Sequence, residues 1–212
     1  MTVGRRGASV ALAAGVAALI AAAVVACQAQ PAPDVGGAEV TALATTQAPT
    51  RAPSKPPAPS AEVAVVPPVR LRIPAIDVTA TVNPVGVDRN GDFAVPPSID
   101  EVGWYKFGPG VEATAGSVVI AGHVDSAEQG RGAFFRLREL DRGDRLTVKG
   151  DDGVTRTYRV VAREEYRKTK IPLDRYFARD GKPRLTLITC GGPFDRDAGH
   201  YRDNIVVTAV PA

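Results

Sequence analysis

The C-terminal part of this chain is divided into short apolar or alternating runs, each closed by a turn signal. Candidate strands run from Val69 to Ile73, Thr79 to Val85, Asp92 to Val95, Ser117 to Val124, Asp144 to Lys149, Thr155 to Arg167, Arg184 to Cys190 and Asn204 to Val210. β-Branched residues at period two, or unbroken apolar stretches of strand length, carry this reading. Asn90-Gly91, Asp151-Asp152-Gly153 and Asp180-Gly181-Lys182-Pro183 separate the runs. Asp151-Asp152-Gly153 lies between Leu146-Thr147-Val148 and Thr155 to Tyr158, which predicts a hairpin. Helical turns are expected at Ala133 to Leu140 and Leu173 to Phe177. Many short strands with few helices predict an all-β sandwich or closed barrel over residues 68–212.

The N-terminal part follows a different pattern. Arg5 and Arg6 precede an almost uncharged stretch from Gly7 to Cys27, the charge order of an export signal or membrane anchor. Three readings of residues 1–27 stand: an uncleaved anchor, a cleaved secretory signal, and a lipoprotein leader, because Val24-Val25-Ala26-Cys27 resembles a bacterial lipobox with Cys27 as the lipidated residue. All three put the C-terminal domain outside the cytoplasm, on the cell-wall side of a membrane. Residues 28–67 are rich in Ala, Pro, Thr and Ser without a sustained period. This stretch reads as a disordered, extended spacer.

Charge narrows the function classes. The 212 residues carry a net charge of +3, and basic and aromatic residues do not interleave, so nothing points to nucleic acid. The densest basic run, Arg156, Arg159, Arg163, Arg167, Lys168 and Lys170, reads as a solvated strand face interrupted by Glu164 and Glu165. Acidic residues are scattered, and no metal or other cofactor is expected.

The candidate chemistry begins with Cys190, the sole cysteine of residues 68–212, at the end of an apolar run. An exported thiol without a domain partner is either inert and buried or retained for its reactivity. His123 closes the run Ser117-Val118-Val119-Ile120-Ala121-Gly122, and an imidazole beside a thiol favours the nucleophilic thiolate. His200 lies in a polar stretch and reads as a surface residue. Arg202 precedes the last run, where a loop between antiparallel strands would fold it over Cys190 to donate to an oxyanion; the competing reading is a surface pair with Asp203. Trp104 and Tyr201 are candidate rim residues, with Trp104 the better fit to the core.

Thr186-Leu187-Ile188-Thr189-Cys190 resembles the Thr-Leu-x-Thr-Cys signature of sortases, cysteine transpeptidases of Gram-positive surfaces. Ser117 to His123, Gly132-Ala133-Phe134-Phe135-Arg136-Leu137, Gly143-Asp144-Arg145-Leu146 and Arg202 fit the same family, over Val69 to Val210. Gly122-His123-Val124-Asp125-Ser126 and Cys190-Gly191-Gly192-Pro193-Phe194-Asp195 look most like its actinobacterial class F or E/F-like branch. The resemblance implies a closed eight-stranded β-barrel with Cys190, His123 and Arg202 as catalytic residues and Thr189 as a substrate-positioning residue. It implies attack on an LPXTG-type sorting signal, a thioacyl-enzyme, and transfer to an amine such as that of a peptidoglycan precursor or a pilus subunit.

Other activities remain open at this level. A thiol hydrolase would pass the acyl group to water. An L,D-transpeptidase calls for a Ser-His-Gly-Cys type motif, whereas Ile188-Thr189 precedes Cys190 here. A tethered binding module would have no use for a reactive Cys190.

Overall fold

The first barrel strands follow the expected alternation. In β1 (Pro68–Ile73) Leu71 and Ile73 are fully buried while Arg70 and Arg72 face solvent, and β2 (Val78–Val85) buries Ala80 and Val82. The computed structural model describes residues 33–44, 65–89 and 91–212, of which Asp34–Ala212 forms one compact unit. The predicted leader, residues 1–27, and most of the spacer lie outside the described residues. No helix among the described residues is long and apolar enough to cross a membrane.

Eight strands close into a barrel in the order β1, β2, β3 (Val102–Tyr105), β4 (Ser117–Gly122), β9 (Arg184–Asp195), β10 (His200–Pro211), β8 (Thr155–Arg167) and β7 (Arg145–Gly150). The all-β, closed eight-stranded expectation holds. β5 (Asp125–Ser126) and β6 (Gly130–Arg131) form a separate small ribbon. β7 and β8 pair antiparallel across the Asp151-Asp152-Gly153 turn, with Gly153 at φ 79°. The two parallel contacts are β2 with β3 and β4 with β9. β4 is buried at all six positions, which explains its unbroken apolar sequence. The expected helical turns appear as a 3-10 turn at Leu137–Glu139 and a short helix at Leu173–Tyr176.

Three expectations are corrected. Asp92 to Val95 is not a barrel strand; it contributes one bridge, Phe93 to Val87, and Val102–Tyr105 takes the third barrel position. Pro96 and Pro97 follow the predicted run and lack the N–H that a central strand needs. β9 does not stop at Cys190 but continues to Asp195, and β10 begins at His200, ahead of Arg202. A bulge between Tyr201 and Asp203, with Gly192 at φ 69°, lets this hairpin extend past the glycines.

The third correction concerns the spacer. Residues 34–44 lie on the barrel rather than extending from it. Val35 exchanges both backbone hydrogen bonds with Arg163, at 2.8 and 2.9 Å, and is followed by helix α1 (Gly37–Ala44). Val40 is fully buried with Ala162, Tyr176 and Val206. This cover explains why β8 stops alternating: Val160, Val161, Ala162, Arg163 and Glu164 are all buried. Arg163 therefore departs from the predicted solvated face; its guanidinium donates to the Leu140 carbonyl and, at 3.1 Å, to Asp141.

Candidate active site

Strand register brings two of the three expected catalytic residues to one end of the barrel. β4 and β9 run parallel with Ile120 beside Leu187 and Ala121 beside Ile188. One step further, Thr189 Oγ1 donates to the Gly122 carbonyl at 2.8 Å, and both groups are buried from solvent by the strands themselves. The next residues in the two strands are His123 and Cys190. Leu185 and Leu187 belong to the barrel core, whereas Ile188 packs with the second cluster outside it. Cys190, two residues beyond Ile188, shares that outer face. It is a free, half-buried thiol.

His123 is fixed at both backbone and side chain. Its carbonyl accepts from the Phe134 amide at 3.0 Å, and the Gly132 amide donates to the Val124 carbonyl at 2.9 Å. A Cβ on Gly132 would sit 2.4 Å from the His123 carbonyl oxygen, so only glycine allows this approach. His123 Nε2–H donates to the Pro96 carbonyl at 2.9 Å. A carbonyl only accepts, so the proton in the neutral ring resides on Nε2 and Nδ1 holds the free lone pair.

Arg202 occupies the β10 bulge, two residues before Asn204, which pairs with Cys190 across the hairpin. Its side chain pairs with Asp195 rather than with Asp203: Nε donates to Asp195 Oδ2 at 3.2 Å. The Asp195 carboxyl is held below the usual carboxylate range first by the Ala198 amide and then by Arg202. About half of the Arg202 side chain is open to solvent (53 %), so it remains accessible to a ligand.

Tyr201, a candidate rim residue, and Asp125, which lay outside the expected set, complete the surroundings. Tyr201 donates to Asp125 Oδ2 at 2.5 Å, tying β10 to the segment that follows His123. That bond, with some burial and a weaker influence of the Cys190 sulfur, pushes the Tyr201 hydroxyl up to about 12. Asp125 lies two residues after His123 and was legible only as part of the histidine motif. Trp104 is a core residue, 3 % exposed, with Nε1 donating to the Pro109 carbonyl at 3.1 Å. His200 is exposed beside its neighbour's carbonyl. The hydroxyl of Thr189, the expected substrate-positioning residue, donates to the Gly122 carbonyl. Among the described residues, no group of three or more His, Cys, Asp or Glu side chains is placed to hold a metal ion.

The β4–β9 seam just before Cys190 is apolar. Ala121 and Ile188 lie side by side, and Ile171 and Phe177 from the connection between β8 and β9 pack in the same cluster as Ile188. Phe177 meets Tyr105 edge-on at 5.2 Å and Phe93 at 6.0 Å. A thiol, an imidazole and an accessible guanidinium are side-chain types that nucleophilic acyl transfer uses.

Solved structures share this architecture. Sortase C-1 from Actinomyces oris matches with a TM-score of 0.52 at 23 % identity, covering 68 % of this chain and 72 % of that chain. A lid mutant of sortase A from Corynebacterium diphtheriae matches with a TM-score of 0.53 at 23 % identity, covering 71 % and 73 %. Sortase C1 from Streptococcus agalactiae gives 0.52 at 19 % identity, covering 68 % and 66 %. Among curated proteins none matches. The Sortase domain family model matches residues 71–212, the barrel from the middle of β1 onward, and the chain belongs to the sortase family.

Proposed function

We propose that this protein is an extracytoplasmic cysteine transpeptidase that cleaves an LPXTG-type sorting signal and joins the released carboxyl group to an amine of the cell wall or of a pilus subunit. The observation that carries the proposal is the Thr189–Gly122 hydrogen bond, because it locks the two strands whose next residues are His123 and Cys190. Gly122 to Ser126 and Cys190 to Asp195 favour the actinobacterial class F or E/F-like branch.

The Cys190 thiolate attacks the threonine carbonyl carbon of the signal. The carbonyl π electrons move to oxygen, and the Arg202 guanidinium donates to that oxyanion. Collapse breaks the peptide C–N bond, and His123 gives its proton to the departing amine. A thioester on Cys190 remains. An incoming amine then attacks the thioester, passes its proton to His123, and Cys190 leaves as thiolate. Asp195 positions Arg202. Thr189 acts through the strands rather than on the substrate. Residues 1–27 direct the domain out of the cytoplasm, as an uncleaved anchor, as a lipoprotein leader with lipid on Cys27, or as a cleaved signal.

The test is incubation of the full chain with a fluorogenic LPXTG-type peptide, with and without an amine acceptor. Acceptor-dependent ligation is expected. Release to water alone, unaffected by acceptor, would replace this reading with a hydrolase.

A further inference from the structure

The connection between β8 and β9 supplies Ile171 and Phe177, which pack against the same outer cluster as Ile188, two residues before Cys190 on β9. It carries little regular structure of its own, only a 3-10 turn at Lys168–Lys170 and the single turn Leu173–Tyr176. Such a segment keeps its shape only if something outside it holds it. Part of the hold comes from β9: the fully buried Arg184 donates to the Asp180, Lys182 and Arg175 carbonyls at 3.2, 3.0 and 3.0 Å.

The rest comes from residues 34–44. Gly37 rests directly on Glu164: a Cβ there would approach Glu164 Oε1 to 2.9 Å. Gly36, at φ 81°, lies so close to β8 that a Cβ would come within 2.2 Å of the Val161 carbonyl oxygen. Arg175, in the connection, donates to the Gly37 carbonyl at 3.0 Å and to both Glu164 oxygens at 3.2 and 3.1 Å. Tyr176 and Tyr166 each donate to Glu164 at 2.8 Å. The Lys182 amide donates to the Leu43 carbonyl at 3.0 Å. Val40 enters the same apolar cluster as Ile171, Phe177 and Ile188. Gly37 near one end of the segment and Leu43 near the other thus meet the connection at Arg175 and Lys182, and Val40 is buried in the cluster that Ile171 and Phe177 pack against.

We infer that residues 34–44 are a positioning element of the active site: through Gly36, Gly37 and Val40 they brace the β8–β9 connection, so that the apolar cluster around Ile188, two residues before Cys190, keeps the shape that receives the substrate. The functional unit then starts at Asp34 and not at the first barrel strand. Substrate reception rests on the transpeptidase reading; the brace itself does not.

The test uses the full chain with Gly37→Val, Gly36→Val and Val40→Asp, and Ala42→Ser at an exposed position of α1 as control. Amide exchange is read by NMR at Arg175 and Phe177, whose amides donate within the connection to Pro172 and Leu173. Lys182 is excluded because its acceptor belongs to the brace. The expected result is exchange at least ~10-fold faster at Arg175 and Phe177, with the β1–β2 amides unchanged and the control like wild type. Unchanged Arg175 and Phe177 amides would overturn the inference. So would loss of protection across the whole barrel, or a brace that stays protected in all three variants. A peptide assay adds a second arm: KM is expected to rise several-fold while alkylation of Cys190 by iodoacetamide keeps its rate. If wild type turns over no sorting peptide, the transpeptidase reading fails while amide exchange still decides the brace.

Discussion

Thr189 and Gly122 are joined by a 2.8 Å hydrogen bond across the parallel β4–β9 pair, one residue short of both Cys190 and His123. The Gly122 carbonyl is the last polar backbone group of β4 before the histidine. Its acceptor role is filled from the neighbouring strand, so the two ends cannot slide independently.

Thr189→Val keeps the shape of the side chain and removes the donor. The buried Gly122 carbonyl is then left without its partner, which costs about 1–3 kcal/mol of stability. Thr189→Ser retains the donor and is expected to stay close to wild type. Chemical denaturation of both variants, with turnover measured on the folded fraction, checks this. A Val variant equal to wild type in both would remove the tie from the account.

Arg202 is held by Asp195 through one Nε contact, which leaves the rest of its fork available. Arg202→Lys keeps the charge and loses the planar donor pair, and kcat/KM is expected to fall by about 10²–10³. Asp195→Asn leaves Arg202 charged but less well oriented, and a several-fold loss, chiefly in kcat, is expected. Steady-state kinetics of both variants give the comparison.

Tyr201 and Asp125 make stability depend on alkaline pH with a definite sign. The folded Tyr201 hydroxyl is raised to about 12, above the unfolded value of ~10. The unfolded chain loses this proton first, so the contribution is complete below pH ~10 and is lost as pH rises toward 12. Burial raises Tyr158, Tyr166 and Tyr176 in the same direction, so the informative quantity is the difference between wild type and Tyr201→Phe. That difference is expected to shrink between pH 9 and pH 11.5 in urea unfolding. A constant difference would deny the bond its role.

The barrel was legible because seven of its strands bury one or both faces in the patterns that period two and continuous apolar runs announce. β3 was missed: Val102–Tyr105 is only four residues with a glycine inside, while Asp92 to Val95 has a better local pattern but is followed by two prolines. Segment 34–44 was illegible for another reason. Gly36 and Gly37 look like linker residues, and their meaning lies in the absence of a side chain where the backbone meets β8. Arg163 and Glu164 were assigned to solvent because their cover was assigned to the spacer. At the site, Cys190 and His123 were readable as the next residues after two apolar runs. Asp195 as the partner of Arg202, and Pro96 as the acceptor for His123, come from a bulge and a loop whose paths no periodicity encodes.

Intact-protein mass spectrometry of the full chain mixed with an LPXTG-type peptide decides whether Cys190 carries the acyl group. The expected result is an added mass equal to the acyl half of the peptide, mapped to Cys190, discharged by an amine acceptor and absent in a folded Cys190→Ala variant. An adduct that persists in Cys190→Ala, or turnover by that variant near the wild-type rate, would contradict it.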